Sequence, residues 1–208
     1  MEIECVTLSK VIDEDGKSEI LDREEEEKLI MMCQNGNRDA FRPLVEKHSK
    51  PIFVFILRLV GNKEDAKEIA QESFARAFKN IIHFNFGYRF STWIYSIALN
   101  LCRDHVKKKQ REKNTAEFFA LYQNQNCKYN EWIEDVVDLQ IEKEMLKSCL
   151  MLLKFKDREL IVLKDIMEMS YQEMKKLTNS NIPVLKMRVM RARRKLLNII
   201  KKYKGENK

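Results

Sequence analysis

Turn-forming residues are scarce: the 208-residue chain holds five glycines and three prolines. So few of them cannot punctuate many short strands, and no stretch alternates Val, Ile or Thr with polar residues as a half-buried strand would. The expected fold class is therefore all-α. The five cysteines, Cys5, Cys33, Cys102, Cys127 and Cys149, are odd in number, far apart and form no Cys-x-x-Cys pair. Neither a zinc site nor a disulfide framework is suggested, and reduced thiols in a cytoplasm fit best. The longest apolar run, Ile52 to Val60, is interrupted by Arg58 and is far short of the roughly 20 residues that span a bilayer. No cleavable signal peptide opens the sequence, so a cytoplasmic location without membrane insertion is expected. There is no Gly-rich phosphate loop, and His48, His83 and His105 stand at unrelated points. The chain is expected not to be an enzyme: it offers no catalytic residue, no metal cluster and no cofactor site.

Charge is abundant, at 34% of residues, and unevenly placed. Met1 to Glu27 carries eleven acidic and three basic residues, a balance of −8, which leaves +15 on the remainder of a chain whose net charge is +7. A basic body implies a polyanion partner unless its cations are scattered over a solvated surface. They are clustered: Ile182 to Lys204 has nine Lys or Arg and no acid, and Arg103 to Lys113 has six basic and two acidic residues.

Asp65 to Lys109 carries the densest pattern. Ala66, Ile69, Ala70, Phe74, Ala77, Phe78 and Ile81 recur every three or four residues, so a helix buries that face. Asp65, Glu68 and Glu72, with Gln71 beside them, form an acidic stripe whose one basic partner four residues on is Arg76; it is a candidate docking surface. The segment His83-Phe84-Asn85-Phe86-Gly87-Tyr88-Arg89 breaks the period, and its aromatics and Arg suit contact with unstacked bases. A second helix follows, burying Trp93, Ile94, Ile97, Ala98 and Leu101 before turning basic at Arg103. Upstream, two or three helices are expected between Glu25 and Val60. Their core is Leu29, Ile30, Met32, Ala40, Phe41, Leu44, Val45, Ile52, Phe53, Ile56 and Leu59. Asn35-Gly36-Asn37 should break the first helix, Asp39 cap the next, and Pro51 kink or interrupt it. Phe53 and Phe55 cannot both face one core.

The phrases DAKEIAQESF and FSTWIYSIALNLCRDHVKKK resemble, without gaps, the motifs of region two of a bacterial sigma factor of the extracytoplasmic-function class. Glu68 stands where that family usually has Asp, and Lys107 or Lys108 where it has Arg.

Asn114 to Asp138 has no stable period and reads as a linker, rich in aromatics such as Tyr122, Tyr129 and Trp132. The helical period returns at Leu139. Asp157 is a candidate cap for the helix RELIVLKDIM, and Ser170-Tyr171-Gln172-Glu173 has the spacing of a capping box. Asn179-Ser180-Asn181 makes a turn, after which Pro183 fits the first turn of a longer helix. The geometry is helix-turn-helix. Leu185, Val189, Ala192, Leu196 and Ile199 form the core stripe of the last helix, leaving Lys186, Met187, Met190, Arg191 and Arg194 on another face, a poor solvated surface and a good major-groove one. MSYQEMKKLTNSNIPVLKMRVMRAR resembles sigma region four, with departures: Lys175 takes the usually small position where the two helices approach, Thr178 and Ser180 replace apolar residues, and Asn179 replaces the turn Gly.

The two resemblances imply two small helical domains, region two and region four, joined by a linker. The expected boundaries are an acidic extension at 1–27, region two at 28–113, a linker at 114–138 and region four at 139–204. They imply a subunit that directs RNA polymerase core to promoters, with core polymerase (clamp and flap regions), promoter DNA and an anti-sigma factor as partners. Asp65, Glu68, Gln71 and Glu72 would face the clamp. Asn85, Phe86, Tyr88 and Arg89 would capture an unpaired −10 base, and Lys107, Lys108, Lys109 and Arg111 would hold phosphates. Lys186, Met187, Arg188, Met190, Arg191 and Arg194 would read the −35 element. Two alternatives stay open: a helix-turn-helix regulator that binds duplex DNA without engaging polymerase, and an RNA-binding or scaffold protein.

Overall fold

The computed structural model describes residues 23–113 and 137–206. Every regular element among them is helical: α1 (Arg23–Gln34), α2 (Phe41–Val60), α3 (Lys63–Asn80), α4 (Phe90–Lys113), α5 (Val137–Leu152), α6 (Phe155–Ile161), α7 (Tyr171–Thr178) and α8 (Ile182–Glu206). Short 3-10 turns precede α2 and follow α3, and α6 runs on into a π-helical turn, Val162–Ile166. The all-α expectation holds. The expected linker falls outside the described residues except for Val137 and Asp138, which belong to α5, and so does the acidic extension as far as residue 22.

Sequence rules account for most helix ends. Gly36, at φ +94°, follows α1. The 3-10 turn before α2 is capped by Asn37, whose side chain accepts from the Asp39 amide at 3.1 Å, so Asn37 and not Asp39 does the capping. Asn62 likewise caps α3, accepting from the Asp65 amide at 2.9 Å. At α7 the capping box is complete: Ser170 Oγ accepts from the Glu173 amide at 3.2 Å while the Glu173 carboxylate accepts from the Ser170 amide at 2.9 Å. The Ser170 hydroxyl also donates to that carboxylate at 2.7 Å, and this bond, with the one from the Ser170 amide, holds the Glu173 carboxyl below its usual range, an effect that burial opposes and nearby Arg89 and Lys176 assist. Asp157 caps nothing. It sits inside the first turn of α6, behind the N-cap residue Lys154, and pairs with Lys195 of α8 at 2.6 Å. Pro51 does not interrupt α2, which is continuous through it.

In the amino-terminal half α2, α3 and α4 pack on one another with α1 laid across one end. Leu44, Ile52, Phe55, Ile56, Leu59, Ala66, Ile94 and Ala98 are fully enclosed. Phe55 takes the core position, edge-on to Tyr95 at 4.9 Å, and Phe53 stays at the margin. Two expected core residues lie outside. Met32 is exposed, and Cys33 takes its place in the interior. Phe78 is 38% exposed and rests its ring on Phe41 at 5.1 Å. In the carboxy-terminal half α5, α6 and α8 enclose Cys149, Leu150, Leu153, Ile161, Ala192 and Leu196. Lys175 creates no conflict between α7 and α8, because it points to solvent while Met174 and Leu177 provide the buried face.

The halves meet. Leu160, Val162, Leu163, Met174, Leu177, Leu185 and Val189 belong to the same apolar cluster as the interior of α1–α4. Arg158 donates to the Leu59 carbonyl at 2.7 Å, satisfying an acceptor that the last turn of α2 leaves without an intrahelical donor. Beside it Gly61, at φ +80°, ends α2 in the left-handed conformation, with its amide bonded to the Leu57 carbonyl. A Cβ there would run into the Met151 sulfur of α5.

Gly61→Ala should therefore cost about 1–2 kcal/mol, combining left-handed strain with displacement of Met151. Urea titration checks this. In a Met151→Ala background the loss should shrink to the strain alone, about 1 kcal/mol, and a neutral Gly61→Ala would mean that the halves do not approach at this point.

Candidate nucleic-acid interface

Three surfaces follow from the packing of α3 on α4. The two helices run antiparallel, so the acidic start of α3 lies beside the basic end of α4. Asp65 accepts from Lys109 at 2.5 Å, and its carboxylate lies 3.2 Å from His105 Nε2. That second approach lacks hydrogen-bond geometry, and His105 Nε2 is buried without a hydrogen-bond partner. The acidic stripe thus splits: Asp65 is committed to α4, whereas Glu68, Gln71 and Glu72 are exposed, with Glu72 bridged to Arg76 at 2.7 Å. The tie to α4 was unreadable from periodicity within α3, although opposite charges at the facing ends of two consecutive helices signal it.

The segment between α3 and α4 is folded tightly by its own polar groups. Asn85 Oδ1 accepts from the Gly87 amide at 2.8 Å, and the Asn85 carbonyl accepts from Tyr88 at 3.1 Å. Gln34 of α1 fastens the segment by donating to the Ile81 and Phe84 carbonyls at 3.0 and 3.2 Å. The four residues expected on the −10 surface are not equivalent. Phe86 is half-buried, edge-on to Phe84 at 5.5 Å, in an aromatic cluster that also holds Phe90 and Trp93. Asn85, Tyr88 and Arg89 are exposed.

Tyr88 and Arg89 border a recess of about 290 Å³ whose other walls include Glu26, Lys47, His48 and Phe90. The His48 ring lies tilted against Phe90 at 5.2 Å and meets Glu26 at 3.0 Å; Lys47 pairs with the same carboxylate. Burial alone would raise the Glu26 carboxyl, but hydrogen bonds from His48 and Lys47 outweigh it and hold Glu26 below its ordinary range. No local pattern marks this trio, which joins α1 to α2 and depends on residues 22 positions apart.

Along the end of α4, Lys107, Lys108, Lys109 and Arg111 are all exposed. Lys109 is held by Asp65, and Lys107 stands 3.7 Å from Asp104. Cys102, beneath them, is fully buried, and burial, with Glu159 nearby, pushes its thiol up to about 12, so it is chemically inert.

In the helix-turn-helix, Asn179 takes the left-handed conformation at φ 51°, as the turn requires. The cations of α8 then sort themselves. Arg193 pairs with Asp165, Lys195 with Asp157, Arg188 reaches Ser180 Oγ at 3.4 Å, and Lys186 lies over the Tyr171 ring at 5.8 Å. Arg191 and Arg194 have no ion pair among the described residues. They share the outward face with Met187 and Met190, which are 51% and 52% exposed. Sequence periodicity placed Lys186, Met187, Met190, Arg191 and Arg194 on one face, where all five are exposed; Arg188, expected with them from the family resemblance, is half-buried, and which cations already hold partners was not legible locally.

Comparison with known proteins accords with this geometry. Residues 44–112 match the model of Sigma-70 region 2. The chain is 35% identical over 176 residues to the ECF RNA polymerase sigma factor SigW of Bacillus subtilis (strain 168), covering 81% of this chain and 93% of that one. It is 25% identical over 183 residues to the RNA polymerase sigma-H factor of Pseudomonas aeruginosa, covering 84% and 93%. Two solved structures share the fold: CnrH in complex with the cytosolic domain of CnrY (TM-score 0.62, 23% identity, 85% of this chain and 97% of that one) and the sigma factor RpoE with the anti-sigma factor NepR from Bartonella quintana (0.65, 22%, 77% and 96%). With this degree of identity over nearly the whole of a relative's length, the chain belongs to the extracytoplasmic-function sigma factors of the sigma-70 family.

Proposed function

We propose that this protein directs bacterial RNA polymerase core to specific promoters, melting and holding the −10 element with its amino-terminal half and reading the −35 element with α8. The observation that carries the reading is the outward face of α8. Lys186, Arg188, Arg193 and Lys195 of that helix are engaged by intramolecular partners, whereas Arg191 and Arg194 stand without an ion pair among the described residues beside two exposed methionines. A solvated helix has no reason to present such a strip, and a major groove does. A regulator that binds duplex alone would account for α8 but not for the exposed Glu68, Gln71 and Glu72 or the displayed Tyr88. Glu68, Gln71 and Glu72 are assigned to the polymerase clamp, with Asp65 positioning α4. Asn85, Tyr88 and Arg89 are assigned to the unpaired −10 base, with Phe86 supporting them from the aromatic cluster. Lys107, Lys108, Lys109 and Arg111 are assigned to phosphates. The functional domains are drawn at 28–113 and 139–204. The protein acts by binding and carries no chemistry of its own, and its work on polymerase puts it in the cytoplasm; no described helix is long and apolar enough to cross a membrane. The class brings an anti-sigma factor as a further partner. Transcription by core polymerase plus this chain, on a library of promoters, tests the whole: defined start sites that appear only with the chain support it, and none would refute it.

Glu68→Arg with Glu72→Arg should leave stability within about 0.5 kcal/mol per site, as exposed charge changes do, while abolishing copurification with core polymerase. Undiminished copurification removes the stripe from the interface.

Tyr88→Ala should weaken capture of a melted −10 strand by about 1–3 kcal/mol, the worth of one lost stack, with the thermal midpoint unchanged. Phe86→Ala should do the reverse, lowering the midpoint through loss of its ring contacts. If the two variants behave alike, the division between reader and support is wrong.

The methionines make a specificity prediction. A thioether is a weak hydrogen-bond acceptor, but it packs well on the C5-methyl of thymine. Thymine-to-uracil replacement in the −35 element removes only that methyl, worth on the order of 0.8 kcal/mol. It should weaken binding a few-fold for the wild type and hardly at all for Met187→Ala with Met190→Ala. Equal losses in both proteins would place the methionines off the groove.

A further inference from the structure

The contact between the halves bears on promoter binding if the chain directs polymerase as proposed. The −10 and −35 elements stand about 25 base pairs apart, roughly 85 Å of duplex at 3.4 Å per base pair. In this conformer the two reading surfaces cannot be that distant. Lys176 of α7 lies over the Tyr88 ring at 4.4 Å, and Arg194 is only 18 residues further along a helix-turn-helix. At about 1.5 Å per helical residue, with the turn fully extended, that path is under roughly 50 Å. The same contact covers one face of the aromatic that is to stack on a melted base. The described conformer is therefore closed with respect to its own promoter.

Besides Arg158 on the Leu59 carbonyl and Lys176 over the Tyr88 ring, a charged pair joins the halves. Arg103 of α4 donates to Glu159 of α6 through Nη2 at 2.5 Å and through Nε at 3.3 Å. The same guanidinium reaches the Leu177 carbonyl of α7 at 3.4 Å and Asn100 Oδ1 at 3.0 Å. Glu159 is 6% exposed and is one of three buried polar or charged residues among those described, with His48 and Ser73. Such a pair suits a contact that has to open. Separated as an intact pair, each charge regains its hydration, so the halves can part; with one partner removed, the closed form holds a buried charge without compensation and is disfavoured.

We propose that the Arg103–Glu159 pair is a latch that keeps the free protein closed and must separate before both promoter elements can be bound. Glu159→Arg places two cations at the junction and should open the chain. Small-angle scattering on the full-length protein should then show a radius of gyration several ångström above wild type, with the helical circular-dichroism signal retained. The charge swap, Arg103→Glu with Glu159→Arg, should return the radius to the wild-type value. On a promoter selected from the library, the concentration of protein giving half-maximal transcription with core polymerase should fall at least roughly tenfold in Glu159→Arg, because a competent form populated in a minor fraction weakens apparent affinity by that fraction. An unchanged radius in the folded variant overturns the latch, and so does an increased radius with unchanged half-saturation. If Glu159→Arg loses helical signal, Arg103→Ala, altered on the better-hydrated partner, takes its place with the same two criteria. Scattering needs no polymerase, so an absence of transcription from every form would count against the functional reading while the latch is still decided by the radius.

Discussion

Burial of one face of α4 is the constraint on which the other surfaces depend. Ile94, Ala98, Leu99 and Cys102 are fully buried, and at roughly 1.5–3 kcal/mol for each large side chain enclosed no local preference elsewhere competes with that packing. Once the face is fixed, the segment before it must present Asn85, Tyr88 and Arg89 to solvent, because Phe84, Phe86 and Phe90 are drawn into the aromatic cluster at its base. The end of the same helix must carry its lysines past the start of α3, where Asp65 meets Lys109. One buried stripe thereby sets a base-capturing edge at one end and a phosphate-facing edge at the other.

Charge is used in two ways. Asp157, Asp165 and Glu159 each hold a cation from another helix, and those cations are withdrawn from any role toward nucleic acid in this conformer. The two exposed pairs, Lys195 with Asp157 and Arg193 with Asp165, contribute little to stability, commonly under about 1 kcal/mol, so their effect is mainly to orient helices. Cations without such partners among the described residues, Arg111, Arg191 and Arg194 being three, keep their full attraction for phosphate and base edges. The net charge of +7 therefore understates how local the attraction is.

Periodicity made the all-α class, the capping box at Ser170, the left-handed turn at Asn179 and the core stripe of α8 legible, since each depends on residues a few positions apart. It misjudged rims. Phe78 and Met32 fit an apolar period yet lie at its edge, where the partner helix falls away. It also misassigned caps at Asp39 and Asp157, because an acidic residue near a helix start is equally at home within the first turn. Contacts between distant residues were out of reach: nothing local distinguishes Glu159 from an exposed glutamate, and its burial against Arg103 exists only once the two halves are assembled. Periodicity likewise could not separate Phe86 from Tyr88, which straddle one glycine.

Lysine acylation footprinting of the full chain, alone, with core polymerase, and with core polymerase on a selected promoter, addresses the central claim that one chain carries both a polymerase surface and two DNA surfaces. Lys67 on α3 should lose reactivity when core polymerase is added, and Lys107, Lys108 and Lys186 should lose theirs only when promoter DNA joins. Protection confined to Lys186, equal with and without core polymerase, would instead describe a duplex-binding regulator and would contradict a polymerase-directing role.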